Sequence, residues 1–136
     1  MSMTPEMVRV MATNQGDIPE GEHLFSVMHG ELPKGDKQLA PAAVTAATNF
    51  PLAQAVYLGM TERRLIVWKI GFNRKVGKCI GDVDLRRVTD MEIVWNKKLA
   101  ILALNLADAP PVPLRAVDSG SAEHFRMAFL RLRGRV

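Results

Sequence analysis

From residue 54 onward, apolar residues come in short alternating runs, and near residue 120 their spacing changes from two to three and four. Alternation sends successive side chains to opposite faces of a strand, whereas the longer spacing lines one face of a helix. Residues 54–60 (QAVYLGM) and 64–70 (RLIVWKI) are two such runs joined by Thr61-Glu62-Arg63, a hairpin-like connection. In the second run Ile66, Trp68 and Ile70 fall on one face and Leu65, Val67 and Lys69 on the other. Residues 76–85 (VGKCIGDVDL) read as a further strand, with the glycines around Cys79 marking a bend or bulge. Residues 88–95 follow, then a turn at Asn96-Lys97-Lys98 and the most apolar run, 99–106 (LAILALNL). A turn at 107–110 leads into a last strand at 112–117.

Upstream the pattern is sparser. Residues 22–32 read as the first strand, with Phe25, Val27 and His29 on one face and Leu24, Ser26 and Met28 on the other. Pro33-Lys34-Gly35-Asp36 is a turn, and the Ala-rich stretch at 39–50 forms one or two helical turns that end before Pro51. Near the start, Thr4, Pro5 and Glu6 have the chemistry of a helix N-terminus, and the short helix they open carries Met7, Val10 and Met11 before stopping at 14–17.

The C-terminal segment is a helix. Asp118, Ser119 and Ser121 supply N-cap candidates, and Ala122, Phe125, Ala128, Phe129 and Leu132 form one apolar stripe. Arg126 and Arg133 flank the stripe on one side and Arg131 and Arg135 on the other, where their stems can cover apolar edges. Gly134 is a reasonable stop. About seven short strands punctuated by turns, then one amphipathic helix, predict an antiparallel sandwich or barrel rather than βαβ units.

Composition narrows the class. A chain of 136 residues, 48% apolar and 6% aromatic, fits one domain with an aliphatic core. The lone Cys79 excludes an internal disulfide, the N-terminus lacks the pattern of a signal peptide, and no apolar run approaches the ~20 residues of a membrane span. A cytoplasmic protein is the expectation. The net charge of +4 is unevenly spread: residues 1–60 carry −3 and residues 61–136 carry +7. The second half therefore favours anionic surfaces, although strand-edge lysines and arginines also keep a sheet soluble.

The order of elements resembles a pleckstrin-homology-like domain of the bacterial or GRAM type. The residues that carry the resemblance are Leu58-Gly59-Met60-Thr61-Glu62-Arg63-Arg64-Leu65-Ile66-Val67-Trp68, similar to that superfamily's T-[DE]-R-R-L hairpin. Ile80 to Met91 is similar to its I-p-L-x-x-I-x-d-V strand pair. The resemblance implies a mainly β fold, a PH-like antiparallel barrel of about seven strands capped by the C-terminal helix. It divides the chain into an N-terminal helical or flexible extension, 1–19, and a PH-like domain, 20–136, with an Ala-rich insertion at about 38–52. Within the hairpin, Thr61 and Glu62 suit a tight turn, and one of Arg63 and Arg64 is expected to pair with Glu62, Asp82 or Asp84. Phosphoinositide-binding members carry dense basic clusters at the first hairpin; here that region has only Lys34 and Lys37, so tight inositol-phosphate binding is not expected.

Chemistry is thinly represented. His23 and His29 lie ~20 Å apart on one strand and cannot chelate a metal by themselves. Cys79 has no histidine nearby in sequence and reads as a buried thiol; Asp82, Asp84 and Asp90 lack calcium-loop spacing. No phosphate loop, nucleophile elbow or zinc pattern occurs, so no catalytic, cofactor or metal residues are assigned and no enzyme is expected. The expected function is a binding or adaptor module for protein partners or for self-assembly, through a sheet edge or the groove between helix and sheet. Weak contact with an anionic membrane is assigned to Phe72, Arg74, Lys75, Lys78, Lys97 and Lys98, with Phe72 as an interfacial anchor. Nucleic acid is not an expected partner, because the charge is scattered and no RNA-binding aromatic motif is present. The alternative is a small-ligand or lipid carrier that uses the barrel interior, which requires a cavity of ~300 Å³ or more.

Overall fold

A computed structural model describes residue 8 and residues 15–33, 53–71, 75–96, 99–116 and 119–134. The expected N-terminal helix, apart from Val8, and the whole of the Ala-rich insertion lie outside the described residues. Seven strands appear: β1 (Leu24–Pro33), β2 (Ala53–Thr61), β3 (Arg64–Ile70), β4 (Val76–Asp84), β5 (Val88–Asn96), β6 (Leu99–Leu106) and β7 (Ala109–Ala116). A single 3₁₀ turn, Leu85–Arg87, joins β4 to β5, and helix α1 (Ser119–Gly134) follows β7.

All pairings are antiparallel, and the strands form one sheet in the order β4-β3-β2-β1-β7-β6-β5. β4 and β5 are its two edges. The sheet is strongly curled, since Leu65, Val67 and Val83 from one half meet Leu104, Val112 and Leu114 from the other around a cavity of about 80 Å³. This is the architecture the resemblance implied: a curled antiparallel sheet with one helix after its last strand.

The helix closes the main core. Ala122, Phe125 and Phe129 are buried among Met28, Leu58, Met91, Leu102 and Leu114, with Ala128 and Leu132 packed alongside. The predicted stripe is therefore the buried face. Burying one such aromatic stabilises by about 2–3 kcal/mol, which explains why a helix with an ordinary polar face holds its place.

A second core lies on the other face of β2 and β3. Tyr57, Ile66, Trp68 and Val76 are buried there with Val8 and Ile18, and Leu24, Val27, Ile70 and Cys79 pack around them. β3 is thus apolar on both faces: Leu65 and Val67 serve the main core, and Ile66 and Trp68 the second. The segment before β1 supplies the cover that makes the second face apolar.

Three local expectations change. The alternation put Leu24 beside Met28, but a bulge between Leu24 and Ser26 turns Leu24 onto the face of Val27 and leaves Phe25 51% exposed. β7 begins at Ala109, three residues earlier than the pattern suggested, despite Pro111 and Pro113. Its ladder with β1 involves only Arg115 and Ala116, so the prolines forfeit no N–H on that side. Cys79 is partly buried rather than enclosed. The bulges expected near its glycines are present, as register shifts on both sides of the Trp68–Cys79 pair.

Candidate functional site

The T-E-R-R hairpin is a fastening. Thr61 Oγ1 accepts the backbone N–H groups of Arg63 and Arg64 at 3.0 Å each, which closes the β2–β3 turn. The same hydroxyl donates to Glu22 Oε2 at 2.6 Å. Arg64 then gathers three strands of chain: Nε donates to Glu22 Oε2 at 3.0 Å, Nη1 to Asp82 Oδ2 at 2.7 Å, and Nη2 to the Asp17 carbonyl at 2.5 Å. Trp68 Nε1 donates to Asp17 Oδ2 at 2.9 Å. Glu62 accepts from the His23 backbone N–H at 2.7 Å and meets the His23 ring at 3.1 Å. Partial burial pushes the Glu62 carboxyl up, but the His23 backbone N–H and ring outweigh it, and the group sits below the usual carboxylate range. The pairing of Arg64 with Asp82 is the one the sequence suggested; Glu22 is the partner it did not.

Two open grooves border the helix. The first lies between the β5 edge and the N-terminal half of α1 and has a volume of about 440 Å³. Its walls are Glu92, Ile93 and Trp95 from β5 and Glu123, Arg126 and Met127 from the helix. Trp95 is 50% exposed and Met127 46% exposed, both large apolar side chains open to solvent. Glu92 accepts from Asn105 Nδ2 at 2.7 Å, and Arg126 Nε donates to the Met91 carbonyl at 2.8 Å. Arg133, two turns further along the helix, donates to the Val88 carbonyl and lies over the Phe129 ring at 5.1 Å. The two arginines therefore tie α1 to the first half of β5, while its second half faces the groove.

The second groove, about 620 Å³, lies where the β2–β3 turn, the 3₁₀ turn and the C-terminal end of α1 converge. Arg63, Arg86 and Arg133 line it together with Glu62, Asp84, Leu85 and Leu132. Asp84 caps the 3₁₀ turn by accepting the Arg86 backbone N–H and also pairs with the Arg86 guanidinium at 2.9 Å. Those two bonds, the side-chain one first, hold its carboxyl down at about 2.

Of the residues assigned to anionic contact, Lys75 and Lys78 are exposed, the first just before β4 and the second near its start. Phe72, Arg74, Lys97 and Lys98 lie outside the described residues. Among the described residues no cluster of three histidine, cysteine, aspartate or glutamate side chains is placed to hold a metal ion. His23 faces Glu62, and the His29 ring lies 5.6 Å from Tyr57. No described helix is long and apolar enough to cross a membrane. The sequence reasoning missed Trp95 and Met127 as a pair. The available signal was that Met127 is large, apolar and out of phase with the buried stripe of its helix.

No protein-family model matches the chain, and no curated protein matches it either. Solved structures do. The DH/PH domains of p115-RhoGEF share 10% identity at a TM-score of 0.57, with 97% of this chain and 38% of that one covered. The hSac2 domain of the human phosphoinositide phosphatase Sac2 shares 13% identity at a TM-score of 0.53, covering 98% of this chain and 85% of that one. A pleckstrin homology domain from Shewanella amazonensis shares 12% identity at a TM-score of 0.50, covering 93% and 96%. The chain spans only 28–38% of the RhoGEF chains it matches. At such identities the likeness establishes the fold, which is pleckstrin-homology-like, and leaves activity to be argued from the surface.

Proposed function

We propose that this pleckstrin-homology-like chain is a non-enzymatic binding module that recognises a protein partner at the groove between β5 and α1. The observation that carries the reading is a strand edge with no partner strand among the described residues, beside two half-exposed large apolar side chains, Trp95 and Met127. An extended peptide can add to such an edge by main-chain hydrogen bonds while one of its side chains covers Trp95. Tryptophan is enriched among the residues that dominate binding energy, so its exposure here favours contact over packing. Glu123 and Glu92 give the groove acidic rims, which favour a partner with basic residues. A second copy of the chain is the other occupant the same edge accepts. The module needs no cofactor, and a lone thiol suits a reducing, cytoplasmic setting.

The test is selection of peptides from a displayed random library on the intact chain, followed by affinity measurement. Trp95→Ala should weaken selected peptides by tenfold or more, about 1.4 kcal/mol or above. Peptides that bind Trp95→Ala as tightly as the parent chain would overturn the assignment.

Weak anionic-membrane contact belongs to this reading as a secondary property, supported by the exposure of Lys75 and Lys78. Retention on phosphatidylserine vesicles at low salt, lost in a Lys75→Glu, Lys78→Glu variant, tests it. The carrier alternative has less support: the interior cavity of about 80 Å³ is well under the ~300 Å³ a carried ligand requires.

A further inference from the structure

We infer that the groove at the C-terminal end of α1 is a site for a single-chain anionic amphiphile, a phosphate or carboxylate head on an apolar body. The site shares no lining residue with the groove beside β5 and stands independently of the protein-binding reading.

Five ionic side chains line the groove, and its carboxylates are already engaged: Glu62 holds His23, and Asp84 holds Arg86. That leaves Arg63 and Arg133. The Arg63 side chain is exposed and has no ion-pair partner among the described residues. Arg133 spends one N–H on the neutral Val88 carbonyl and stacks on Phe129, and it too lacks a carboxylate among the described residues. Two guanidinium groups without an ion-pair partner among the described residues therefore face one groove, beside two carboxylates that are engaged elsewhere, and cations outnumber anions three to two in its lining. Their planar donor arrays match the oxygen spacing of phosphate and carboxylate.

The floor argues for an apolar body. Leu85 and Leu132 line the groove between the charged walls. Its volume, about 620 Å³, falls in the range of small-molecule sites. The backbone argues against an extended peptide. The Leu85 N–H already bonds the Arg63 carbonyl at 2.9 Å, and the Ala107 N–H bonds the Arg87 carbonyl at 2.9 Å. The turns that frame the groove thus spend backbone groups on each other, whereas the second half of β5 faces its groove as a regular strand.

Arg63 offers a clean variant. Its structural bonds are made by its backbone N–H and carbonyl, which Arg63→Gln keeps. The experiment titrates the intact chain with dodecyl phosphate below its micelle concentration and follows backbone amide shifts. Saturable shifts centred on Arg63, Leu85, Arg86 and Leu132 are expected. Arg63→Gln should weaken binding about tenfold, the effect of losing a charge-assisted hydrogen bond, with Arg63→Lys between the two. Inorganic phosphate alone and dodecyltrimethylammonium should bind far more weakly, because each lacks one half of the recognised chemistry. Absence of saturation, equal affinity in Arg63→Gln, or equal binding of either control would overturn the proposal. So would Arg63-dependent retention on phosphatidylserine–phosphatidylcholine vesicles without binding of the monomeric amphiphile, which would assign the groove to a membrane surface.

Discussion

Arg64 shows how much a single side chain can hold. It is one-quarter exposed, yet it joins Glu22, Asp82 and the Asp17 carbonyl, and Glu22 is almost wholly buried beneath it. Removing the guanidinium would leave the Glu22 carboxylate enclosed without its cation, which costs far more than the pair contributes over an apolar substitute. Arg64→Met should therefore destabilise the fold by roughly 3 kcal/mol in urea unfolding, and Arg63→Gln by almost nothing. Equal effects of the two would show that the hairpin arginines are interchangeable. Asp84 gives a contrasting case. Its carboxyl is held at about 2, below the ordinary 3.8, so its pairing favours the folded state above pH 3.8 and fades as pH falls through about 2. Because both side chains are open to solvent, the effect on stability is small. A carboxyl-carbon titration should nevertheless place the midpoint near 2, and Arg86→Ala should return it toward 3.8. The hairpin motif was legible because its turn chemistry is local. Glu22 was not legible, because it lies 42 residues from Arg64 and no spacing rule links them.

Among elements, the register of β2 against β3 depends on a missing side chain. Gly59 lies in β2 opposite Ile66, and a Cβ there would stand 2.7 Å from the Trp68 ring and 2.8 Å from Leu24. Gly59→Ala should cost about 1–3 kcal/mol by overpacking, read as a lower midpoint of thermal unfolding. A Gly59→Ala protein as stable as the parent would mean that the ring and Leu24 can move aside. The helix behaved as its sequence promised because its period and its partner surface agree. Strand boundaries behaved less well. Leu24 changed faces through a bulge, and β7 ran back through prolines that simple pattern reading treats as turn. Both depend on which neighbour a strand pairs with, and single-strand alternation carries no such information.

For the whole molecule, the second core is the main departure from a plain sheet-and-helix account. Ile18, 4% exposed, lies in it with Tyr57, Ile66 and Trp68, and Asp17 is bonded to both Arg64 and Trp68. Ile18→Ala should destabilise the chain by about 2–4 kcal/mol and shift tryptophan emission to longer wavelength. An unchanged spectrum would show that the segment before β1 does not screen Trp68. Residues 64–70 carry apolar side chains at successive positions, but alternation alone does not tell that the second face is covered, since Asp17 and Ile18 sit in a stretch with no periodicity. The candidate grooves were the least legible features. They arise where three or four elements converge, and each of their residues looks ordinary in its own run.

The two edge strands of the sheet differ in kind. β4 is broken by register shifts around Cys79 and carries Lys78 outward, whereas β5 pairs evenly with β6 from Asp90 to Asn96. Growth of an endless fibre needs β4 to join as well as β5, whether to β5 or β4 of the next copy, and the kinks in β4 oppose that union. Meeting of like edges, β5 on β5, closes on itself by a two-fold axis and buries both copies of Trp95. Light scattering across a concentration series should therefore find association ending at the dimer, and masses that keep rising with concentration would show that β4 is not protected. The asymmetry of the edges sets a ceiling on assembly.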